Sequence, residues 1–199
     1  MPDYQLEDLC RQNGYMAVCG VDEAGRGPLS GPVFAAAVIL PPGLELEGLN
    51  DSKKLTPKKR DALFDRICAS AVSYGIASAS AEEIDELNIL QATLLAMRRA
   101  IAQLSPAADF ALIDGNCSKG FPLPVSAIVG GDAKSCSIAA ASILAKVSRD
   151  RLCMEQDKQY PEYGFAKHKG YGTKAHMDAL RKYGPCPIHR KTFLKFLDT

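Results

Sequence analysis

The chain has 199 residues, of which 47% are hydrophobic and 24% are charged, a composition typical of folded globular domains and unlike that of disordered, collagen-like or coiled-coil chains. This length predicts a single domain. The longest unbroken apolar run, residues 33–40, is far shorter than the ~18 residues of a membrane span, and the N-terminal segment lacks the basic and apolar regions of an export signal, so we expect a cytoplasmic protein that crosses no membrane.

Two strands joined by a tight turn are predicted near the start of the chain. Residues 18–22 and 33–40 are rich in Val, Ile and Ala, and the segment between them, residues 25–32, is rich in glycine and proline. Apolar, β-branched runs bounded by such residues are typical of strands joined by turns. We therefore expect these two strands to pair antiparallel.

Helices and strands alternate in the next part of the predicted order. Thr56 and Pro57 provide an N-cap and a first-turn proline for a helix that ends near residue 71, and residues 72–79 follow as a third strand. Ser80 and Glu83 have the spacing of a capping box, which begins a helical stretch that runs, with a break near residue 88, to residue 104. Two short strands, a long helix and two further helical pieces complete the order, at residues 110–114, 125–129, 133–154, 174–183 and 191–197.

Strands that first form hairpins and then alternate with helices predict an α/β fold, with a central mixed β-sheet flanked by helices. The charge is uneven along this fold, although the net charge is only +1. Residues 158–199 hold nine Lys and Arg against three Asp and Glu, whereas residues 1–157 hold fifteen against twenty. We therefore predict a core at residues 1–157 and a basic, helical C-terminal part of the same domain at residues 158–199.

A second basic cluster lies at residues 53–60, within the more acidic part of the chain. Basic clusters suit a polyanion such as nucleic acid. Short basic runs are also common on ordinary solvated surfaces, so this pattern alone leaves both interpretations open.

Seven cysteines stand at irregular spacings and form no C-x-x-C pair, which predicts free thiols instead of a disulfide framework. Cys186 and His189 have half of the spacing of a zinc site, but a structural zinc ion needs four ligands and no second cysteine pair accompanies them. The sequence predicts neither disulfides nor zinc.

Acidic side chains follow three of the predicted strands. Asp22 and Glu23 end the first strand, Asp114 ends the fourth, and Asp132 follows the fifth. Ligands of open α/β sheets bind where strands end, and carboxylates gathered there repel one another unless a cation neutralises them. Mg²⁺ and Mn²⁺ prefer such oxygen ligands. The pattern predicts a divalent metal site suited to phosphoryl chemistry.

Each of these acidic residues also has a structural interpretation. Asp132 could cap the following helix, and Asp114 before a glycine could be an ordinary turn residue. Asp22 and Glu23 are harder to explain in this way, because they follow an apolar strand and do not lie on an exposed helix face. The joint occurrence of all four at strand ends favours the metal site.

The turn that follows Glu23 carries Gly25, Arg26 and Gly27. An apolar strand comes after it, whereas the dinucleotide-binding fingerprint requires a helix there, so a Rossmann site is excluded. Exposed amides and a guanidinium in a tight turn can contact a phosphate or a sugar hydroxyl, although a plain hairpin turn is the alternative. The position of the turn beside the acidic pair predicts that its ligand lies within reach of the metal ions.

Six motifs occur together over nearly the whole chain: GVDEAGRGP at 20–28, DSKKL at 51–55, DG at 114–115, GD at 131–132, SIAAASILAKV at 137–147 followed by RD at 149–150, and KGYGT at 169–173. In this combination and order the chain resembles ribonuclease HII, the type 2 ribonuclease H of bacteria. The resemblance implies a ribonuclease H-like fold with a helical C-terminal extension that closes over the substrate.

The resemblance also implies an activity and a set of site residues. The activity is endonucleolytic hydrolysis of RNA in RNA–DNA hybrids and cleavage 5′ to single ribonucleotides in duplex DNA, leaving a 3′-hydroxyl and a 5′-phosphate. The family's four metal-binding carboxylates fall on Asp22, Glu23, Asp114 and Asp132. Its reader of the ribose 2′-hydroxyl falls on Gly25, Arg26 and Gly27, and its tyrosine that stacks on the following sugar falls on Tyr171.

General chemistry supports these roles. The 2′-hydroxyl is what separates RNA from DNA at one nucleotide, so a sensor must place polar groups on it beside the scissile phosphate. A flat ring such as Tyr171 can test the shape of a sugar, although a buried tyrosine is the alternative. Phosphate binding with salt-dependent affinity is expected of Lys53, Lys54, Lys146, Lys169 and Lys174. For Lys146, on an apolar helix, the alternative is a structural ion pair.

The expected mechanism is in-line attack of water on a phosphodiester, assisted by Mg²⁺ or Mn²⁺ held by the carboxylates. Ser52 and Ser142 are not expected to act as nucleophiles, because neither has a G-x-S-x-G context or a nearby histidine in the motif. No covalent intermediate is needed.

Three rival functions remain on the sequence alone. A nuclease or resolvase that acts on DNA alone would not need the Gly-Arg-Gly turn, and a noncatalytic binding module would not need four carboxylates facing a polyanion. The related type 3 enzyme usually carries an extra N-terminal domain and a glutamate where Asp132 stands. The C-terminal sequence lacks the Q-x-x-L-x-x-F-F pattern of sliding-clamp ligands, so we expect no clamp partner. The short chain without an accessory domain favours a monomer.

Overall fold

The computed structural model describes residues 1–50 and 52–197, apart from the side chain of Lys54. Five strands form one sheet: β1 (Val18–Ala24), β2 (Val33–Ile39), β3 (Ser73–Ala79), β4 (Phe110–Asp114) and β5 (Val125–Ile128). Seven α-helices accompany them: α1 (Gln5–Gln12), α2 (Pro57–Ser70), α3 (Ala81–Leu87), α4 (Ile89–Ala102), α5 (Cys136–Gln159), α6 (Phe165–His168) and α7 (Lys174–Tyr183).

The sheet has the order β3-β2-β1-β4-β5, so β1 lies at its centre. β1 pairs antiparallel with β2, and β2 pairs antiparallel with β3. β4 is parallel to β1, and β5 is parallel to β4. The mixed sheet predicted from the sequence is confirmed, and its parallel half brings the C-terminal ends of β1, β4 and β5 to one edge.

Alternate residues of the strands pack against different helices, as the period of two along a strand requires. On β2, Ala35 and Ala37 join the core that contains α4, whereas Ala36 and Val38 join the core that contains α2 and α5. The sheet therefore lies between α4 on one face and α2 with α5 on the other.

The long helix α5 lies directly against the central strand because Gly20 of β1 has no side chain. A Cβ atom at Gly20 would lie only 2.1 Å from the carbonyl carbon of Ser137, which is closer than atoms can approach. The first part of α5 is rich in alanine, and Ala139, Ala140 and Ala141 are fully buried. This close packing brings the middle of α5 to the edge of the sheet where β1 ends.

The N-terminus of α5 is held by α1. Glu7 is buried and accepts hydrogen bonds from the hydroxyl of Ser135 at 2.6 Å and from the amide and hydroxyl of Ser137 at 2.9 Å and 2.6 Å. Ser135 is also the N-cap of α5, since its side chain accepts a hydrogen bond from the amide of Ile138. A carboxylate at a helix N-terminus is favoured by the helix dipole.

Most predicted elements are confirmed, and the differences have local causes. The long helix begins at Cys136 and not near residue 133, because Gly131–Ala133 forms a 3₁₀ turn and Ser135 supplies the cap. It also continues to Gln159. Residues 191–197 form two short 3₁₀ turns, Lys191–Phe193 and Lys195–Leu197, instead of one helical piece.

Two helices were not predicted from the sequence. α1 has only eight residues and a mostly polar sequence, in which Glu7 and Cys10 are buried. α6 has four residues, too few to show a period of 3.6. In the described part of the chain, no helix is both long and apolar enough to span a membrane.

The C-terminal part of the chain has its own small core, formed by Tyr163, Phe165, Ala179, Leu180 and Leu194. It returns to the turn between β1 and β2, where Ser30 forms an antiparallel bridge with His189. The amide of Leu29 donates to the carbonyl oxygen of Gly170 at 2.8 Å. The segment that follows β1 is therefore sandwiched between α5 and the C-terminal part.

Candidate active site

The predicted acidic residues lie at the edge of the sheet where the parallel strands end. Asp22 and Glu23 lie within β1, which extends two residues beyond its predicted end. Asp114 is the last residue of the neighbouring parallel strand β4. Asp132 lies in the 3₁₀ turn after β5 and is buried. Since Ser135 caps α5, the alternative interpretation of Asp132 as the helix cap is wrong.

Asp22 is surrounded by negative charge. Burial raises the pKa of the Asp22 carboxyl well above its usual value, and the charges of Glu23 and Asp114 raise it further. A hydrogen bond with Ser142 and one from the amide of Glu23, at 2.7 Å to Oδ1, act in the opposite direction. Three of the four predicted carboxyl groups, those of Asp22, Glu23 and Asp114, therefore lie within electrostatic reach of one another.

Glu23 responds in the same way. Burial raises the pKa of its carboxyl, the guanidinium of Arg26 lowers it, and the charge of Asp114 raises it. Arg26 Nη1 lies 3.4 Å from Glu23 Oε1. Carboxylates that repel one another in a partly buried site are stabilised by a nearby cation. The exposed guanidinium of Arg26 provides only part of that positive charge.

Two further contacts at the acidic edge involve Asp114 and Asp132. Asp114 Oδ1 accepts a hydrogen bond from the amide of Gly131 at 2.6 Å, which places the 3₁₀ turn with Asp132 beside β4. Asp132 Oδ2 lies 3.9 Å from Lys53 Nζ. Asp114 is thus linked to Asp132 through the backbone of Gly131, the residue that precedes Asp132.

The donor set fits a hard divalent cation, but it is not a closed cage. In residues 1–50 and 52–197, no group of three His, Cys, Asp or Glu side chains is arranged so as to hold a metal ion. Mg²⁺ usually keeps several water ligands and uses only one or two carboxylates. The observation that supports such an ion is the repulsion between the buried carboxyl groups at this edge, since a bound cation would relieve it.

A cleft of about 230 Å³ joins the acidic edge to the glycine turn. Its walls include Asp22, Glu23, the turn from Gly25 to Gly27, Ser52, Lys53, Ser142, Lys146, Arg149 and Tyr171. A larger cavity of about 750 Å³ lies beside the N-terminal residues and residues 44–49, and none of the predicted site residues lines it.

The turn can form only with glycine at its first position. Gly25 has φ +100°, and a Cβ atom there would lie 2.1 Å from Nε of the buried Arg149. Arg149 in turn donates to the carbonyl oxygen of Lys169 at 3.0 Å and to that of Ser30 at 3.3 Å. Arg149 on α5 therefore packs directly against the turn. Arg149 was not predicted from the sequence as a site residue.

Tyr171 lies beside the turn at the mouth of the cleft. A Cβ atom at Gly27 would be 3.5 Å from Cε1 of Tyr171. The tyrosine is 46% exposed, so the alternative that it is a buried core residue is wrong. The backbone of Tyr171 is held by His176, whose Nδ1 lies 3.0 Å from the carbonyl oxygen of Tyr171.

A buried histidine pair supports this tyrosine. The amide of Cys186 donates to Nδ1 of His189 at 3.0 Å, so Nε2 of the neutral His189 ring carries the proton and donates to Nε2 of His176, also at 3.0 Å. His176 then donates from Nδ1 to Tyr171. Burial lowers the pKa of His176, and burial together with the neighbouring His176 lowers the pKa of His189 to about 4.

The predicted phosphate-binding lysines differ in their surroundings. Lys53 has an 82% exposed side chain at the cleft, and Lys174 is an exposed residue at the start of α7. Lys146 pairs with Asp150 at 2.6 Å, which agrees with the alternative of a structural ion pair. Lys169 donates to the carbonyl oxygen of Ala166 at 2.7 Å. The side chain of Lys54 lies outside the described residues.

Sequence analysis also missed a positioning role for two serines. Ser142 hydrogen bonds with Asp22 and lies 2.9 Å from the hydroxyl of Ser52, oxygen to oxygen. Both serines are buried. For Ser142 the sequence did contain a signal. Ser142 and Arg149 are seven residues apart, so both lie on one face of α5 and point toward the same region.

Comparison with known proteins identifies close relatives over almost the whole chain. The family model described as Ribonuclease HII matches residues 19–196. A curated ribonuclease HII from Syntrophotalea carbinolica is 57% identical over 192 residues, which are 96% of this chain and 91% of the relative.

Solved structures show the same fold. The ribonuclease H2 from Pyrococcus horikoshii OT3 has a TM-score of 0.73 and 30% identity over 89% of this chain and 93% of its own. The Bst ribonuclease HIII, described as a complex with Mn²⁺, has a TM-score of 0.63 and 16% identity over 87% of this chain and 65% of its own, so the second likeness shows the fold alone.

Proposed function

Because this chain belongs to the ribonuclease HII family and is therefore a metal-dependent ribonuclease H, we propose that it is an endonuclease that hydrolyses the RNA strand of RNA–DNA hybrids. It also cuts 5′ to single ribonucleotides embedded in duplex DNA and leaves a 3′-hydroxyl and a 5′-phosphate. The observation that carries the proposal is the single cleft in which an acidic sheet edge adjoins the glycine turn and Tyr171. We also place this activity in the cytoplasm.

In this proposal Asp22, Glu23, Asp114 and Asp132 hold Mg²⁺ or Mn²⁺. Held there, such an ion would lower the pKa of a bound water and would neutralise charge on the scissile phosphate and on the leaving 3′-oxygen. The raised pKa values of Asp22 and Glu23 support this assignment, because a cation would relieve the repulsion that raises them. Mn²⁺ in the Bst ribonuclease HIII is in keeping with a divalent ion on this fold.

The chain's own groups orient the reacting atoms. Ser142 holds the carboxylate of Asp22 through a hydrogen bond, and Ser52 holds Ser142. A carboxylate fixed in this way can align a water and accept its proton without losing rotational entropy during the reaction. Burial of the serines excludes competing water from this side of the site.

Recognition of ribose falls to the turn and to Tyr171. The exposed amides and guanidinium of Gly25, Arg26 and Gly27 bind the 2′-hydroxyl, which DNA lacks. The ring of Tyr171 packs on the next sugar and disfavours a second ribose there by steric contact. Tyr171 Cε1 would lie 3.5 Å from a Cβ atom built at Gly27. This proximity supports the proposal that the turn and Tyr171 contact neighbouring nucleotides.

The basic residues bind the phosphates of the duplex. Lys53 and Lys174 are exposed and suit this role best, Lys146 and Lys169 reach the substrate only by exchanging their present partners, and Lys54 remains a candidate from the sequence. We further propose that residues 158–199 are the basic C-terminal part of a single domain with residues 1–157 and that this part covers the substrate. We also propose that the protein acts as a monomer.

The decisive experiment is cleavage of an end-labelled DNA duplex that contains one ribonucleotide, with Mg²⁺ or Mn²⁺. An all-DNA duplex, an EDTA sample and the Asp22→Asn protein are the controls. A single metal-dependent cut 5′ to the ribonucleotide, absent from all three controls, is the expected result. Cutting of the all-DNA duplex would indicate a DNA nuclease, and tight hybrid binding without cutting would indicate a binding module.

A further inference from the structure

We propose that Arg190 is a positioning residue that shapes the Gly25 to Gly27 turn for reading the ribose 2′-hydroxyl. The inference rests on the proposed function, because it concerns how the same turn acquires its shape. Arg190 lies outside the six motifs that carry the family resemblance, and it is not itself one of the residues that line the cleft.

The guanidinium of Arg190 binds four carbonyl oxygens of one short segment. Nε donates to Gly31 at 2.9 Å, Nη1 donates to Arg26 at 2.9 Å and to Pro28 at 2.8 Å, and Nη2 donates to Gly25 at 2.6 Å. A planar fork with five N–H donors in fixed directions fits this set of acceptors. Lysine, with three donors on one atom, cannot reach all four.

Arg190 is fully buried, and within the described chain it forms no ion pair with a carboxylate. Burial lowers its pKa to about 9, and the nearby charge of Arg149 contributes. Burying an unpaired charge is costly unless hydrogen bonds replace its hydration. Here the hydrogen bonds come from the backbone of the turn, and the ring of Phe193, 5.2 Å from the guanidinium carbon, lies against the same group. The arginine and the turn therefore stabilise each other.

The bonds to carbonyl oxygens also aim the amides. The oxygens of Gly25 and Arg26 belong to the same peptide groups as the N–H groups of Arg26 and Gly27. In a trans peptide the oxygen and the N–H point in opposite directions. Arg190 therefore directs both N–H groups away from itself, and the two residues that carry them line the cleft together with Tyr171.

These two N–H groups are available for a ligand. Among the described residues, neither amide donates a hydrogen bond to another part of the chain, and both residues are exposed. A guanidinium on the carbonyl side polarises each peptide group and strengthens its N–H as a donor. The consequence is a preorganised pair of donors whose direction depends on a residue about 165 positions away.

The test is the kinetics of Arg190→Lys, which keeps the charge and loses the fork, on the duplex with one ribonucleotide. We expect kcat to fall about 100-fold, the effect of a misplacement near 1 Å, while KM changes less than about 3-fold because phosphate contacts remain. Arg190→Gln, which is neutral and avoids a buried unpaired charge, is the second variant if the lysine protein does not fold. Either variant is sufficient.

The control is Ile67→Ala, which removes a fully buried side chain from the core between α2 and α5 without touching the turn. All proteins are assayed at a temperature at which thermal unfolding curves show them folded. A folded Arg190 variant with the kcat of the wild type overturns the inference, and so does an equal loss of kcat in Ile67→Ala. If the wild-type protein itself leaves the ribonucleotide duplex uncut, the proposed function fails instead.

Discussion

Asp22 combines three properties that seldom occur together in one side chain. It is buried, it lies within electrostatic reach of two further carboxylates, and Ser142 orients it by a hydrogen bond. A residue that served only to stabilise the fold would gain nothing from like charges around it. Its properties are those expected of a metal ligand.

We expect Asp22→Asn to abolish cleavage while hybrid binding stays largely intact. The substitution removes a charged metal ligand and also reduces the negative charge that faces the phosphates. Cleavage and fluorescence anisotropy with the same labelled hybrid measure the two properties. Asp178→Asn, which changes an exposed carboxylate on α7, is the control and should keep both. Loss of binding with residual cleavage would contradict the assignment.

Arg26→Ala and Tyr171→Ala should impair cleavage of single ribonucleotides more than cleavage of continuous RNA–DNA hybrids. A single embedded ribose offers one register for recognition, whereas a hybrid offers many. Relative kcat/KM on the two substrates measures this preference. Tyr183→Ala, which removes a tyrosine of similar exposure in the same part of the chain, is the control. An equal loss on both substrates would argue against sensing roles for Arg26 and Tyr171.

The sequence predicted residues whose signal is local and missed those whose partners are distant. Asp22 and Glu23 attract notice because two acids follow an apolar strand. Arg190 gives no such signal, because each of its acceptors is a backbone oxygen more than 150 residues away. A backbone acceptor leaves no side-chain pattern in the sequence, so only the folded chain reveals this contact.

Among the elements, α5 links most parts of the molecule. It packs on the central strand through Gly20, carries Ser142 and Arg149 to the site, and is fastened at its start by Glu7. The position of this helix along the sheet therefore sets the geometry of the site.

We expect Glu7→Ala to reduce the free energy of unfolding by about 1–3 kcal/mol, because three hydrogen-bond donors at Ser135 and Ser137 lose their buried acceptor. Urea denaturation followed by circular dichroism measures the change. Glu86→Gln, at an exposed position on α3, should have little effect. A Glu7→Ala protein as stable as the wild type would show that α1 does not anchor α5.

Elements with clear caps and periodicity were predicted closely. Thr56 caps α2 and Ser80 forms a complete capping box at α3, as their sequences indicate. The start of α5 was misplaced because Asp132 and Ser135 are both good caps, and the choice between them depends on the amide contact of Gly131 with Asp114. α1 was missed because it is short and mostly polar, and because its contact with α5 is made by Glu7, a buried acid that carries no apolar signal.

For the whole molecule, the mixed sheet and its flanking helices were predicted from the order of the strands. The packing of the C-terminal part against the turn between β1 and β2 was not predicted. That packing is made by contacts such as the bridge between Ser30 and His189. It buries ionisable groups in the interface, so the stability of the fold depends on pH.

We expect the free energy of unfolding to fall as the pH is lowered from about 6.5 to about 4. His189 has a pKa of about 4 in the folded protein against about 6.5 when unfolded, so between these values the unfolded chain binds an extra proton. Stability therefore rises with pH through this window and is complete above it, with a slope of up to about 1.4 kcal/mol per pH unit for this histidine. The lowered pKa of His176 adds to the effect.

Urea denaturation at several pH values measures this slope. His189→Gln removes one titrating group and should flatten it, even if the variant is less stable at every pH. Asp85 and Glu83, whose pKa values are lowered, contribute mainly below this window. Asp22 and Glu23, whose pKa values are raised, act in the opposite direction and are unchanged in the variant. An unaltered slope in His189→Gln would contradict the assignment.

The contact between Arg190 and the turn also determines when a newly made chain can become active. Ribosomes join about 5–20 residues per second, so the 165 positions that separate Gly25 from Arg190 take on the order of ten seconds or more to synthesise. During this interval the residues of β1 and of the turn have already been synthesised, but Arg190, whose guanidinium shapes the turn, has not. A nascent chain is therefore expected to acquire its ribose-reading turn only at the end of translation, which keeps an unfinished nuclease from cutting.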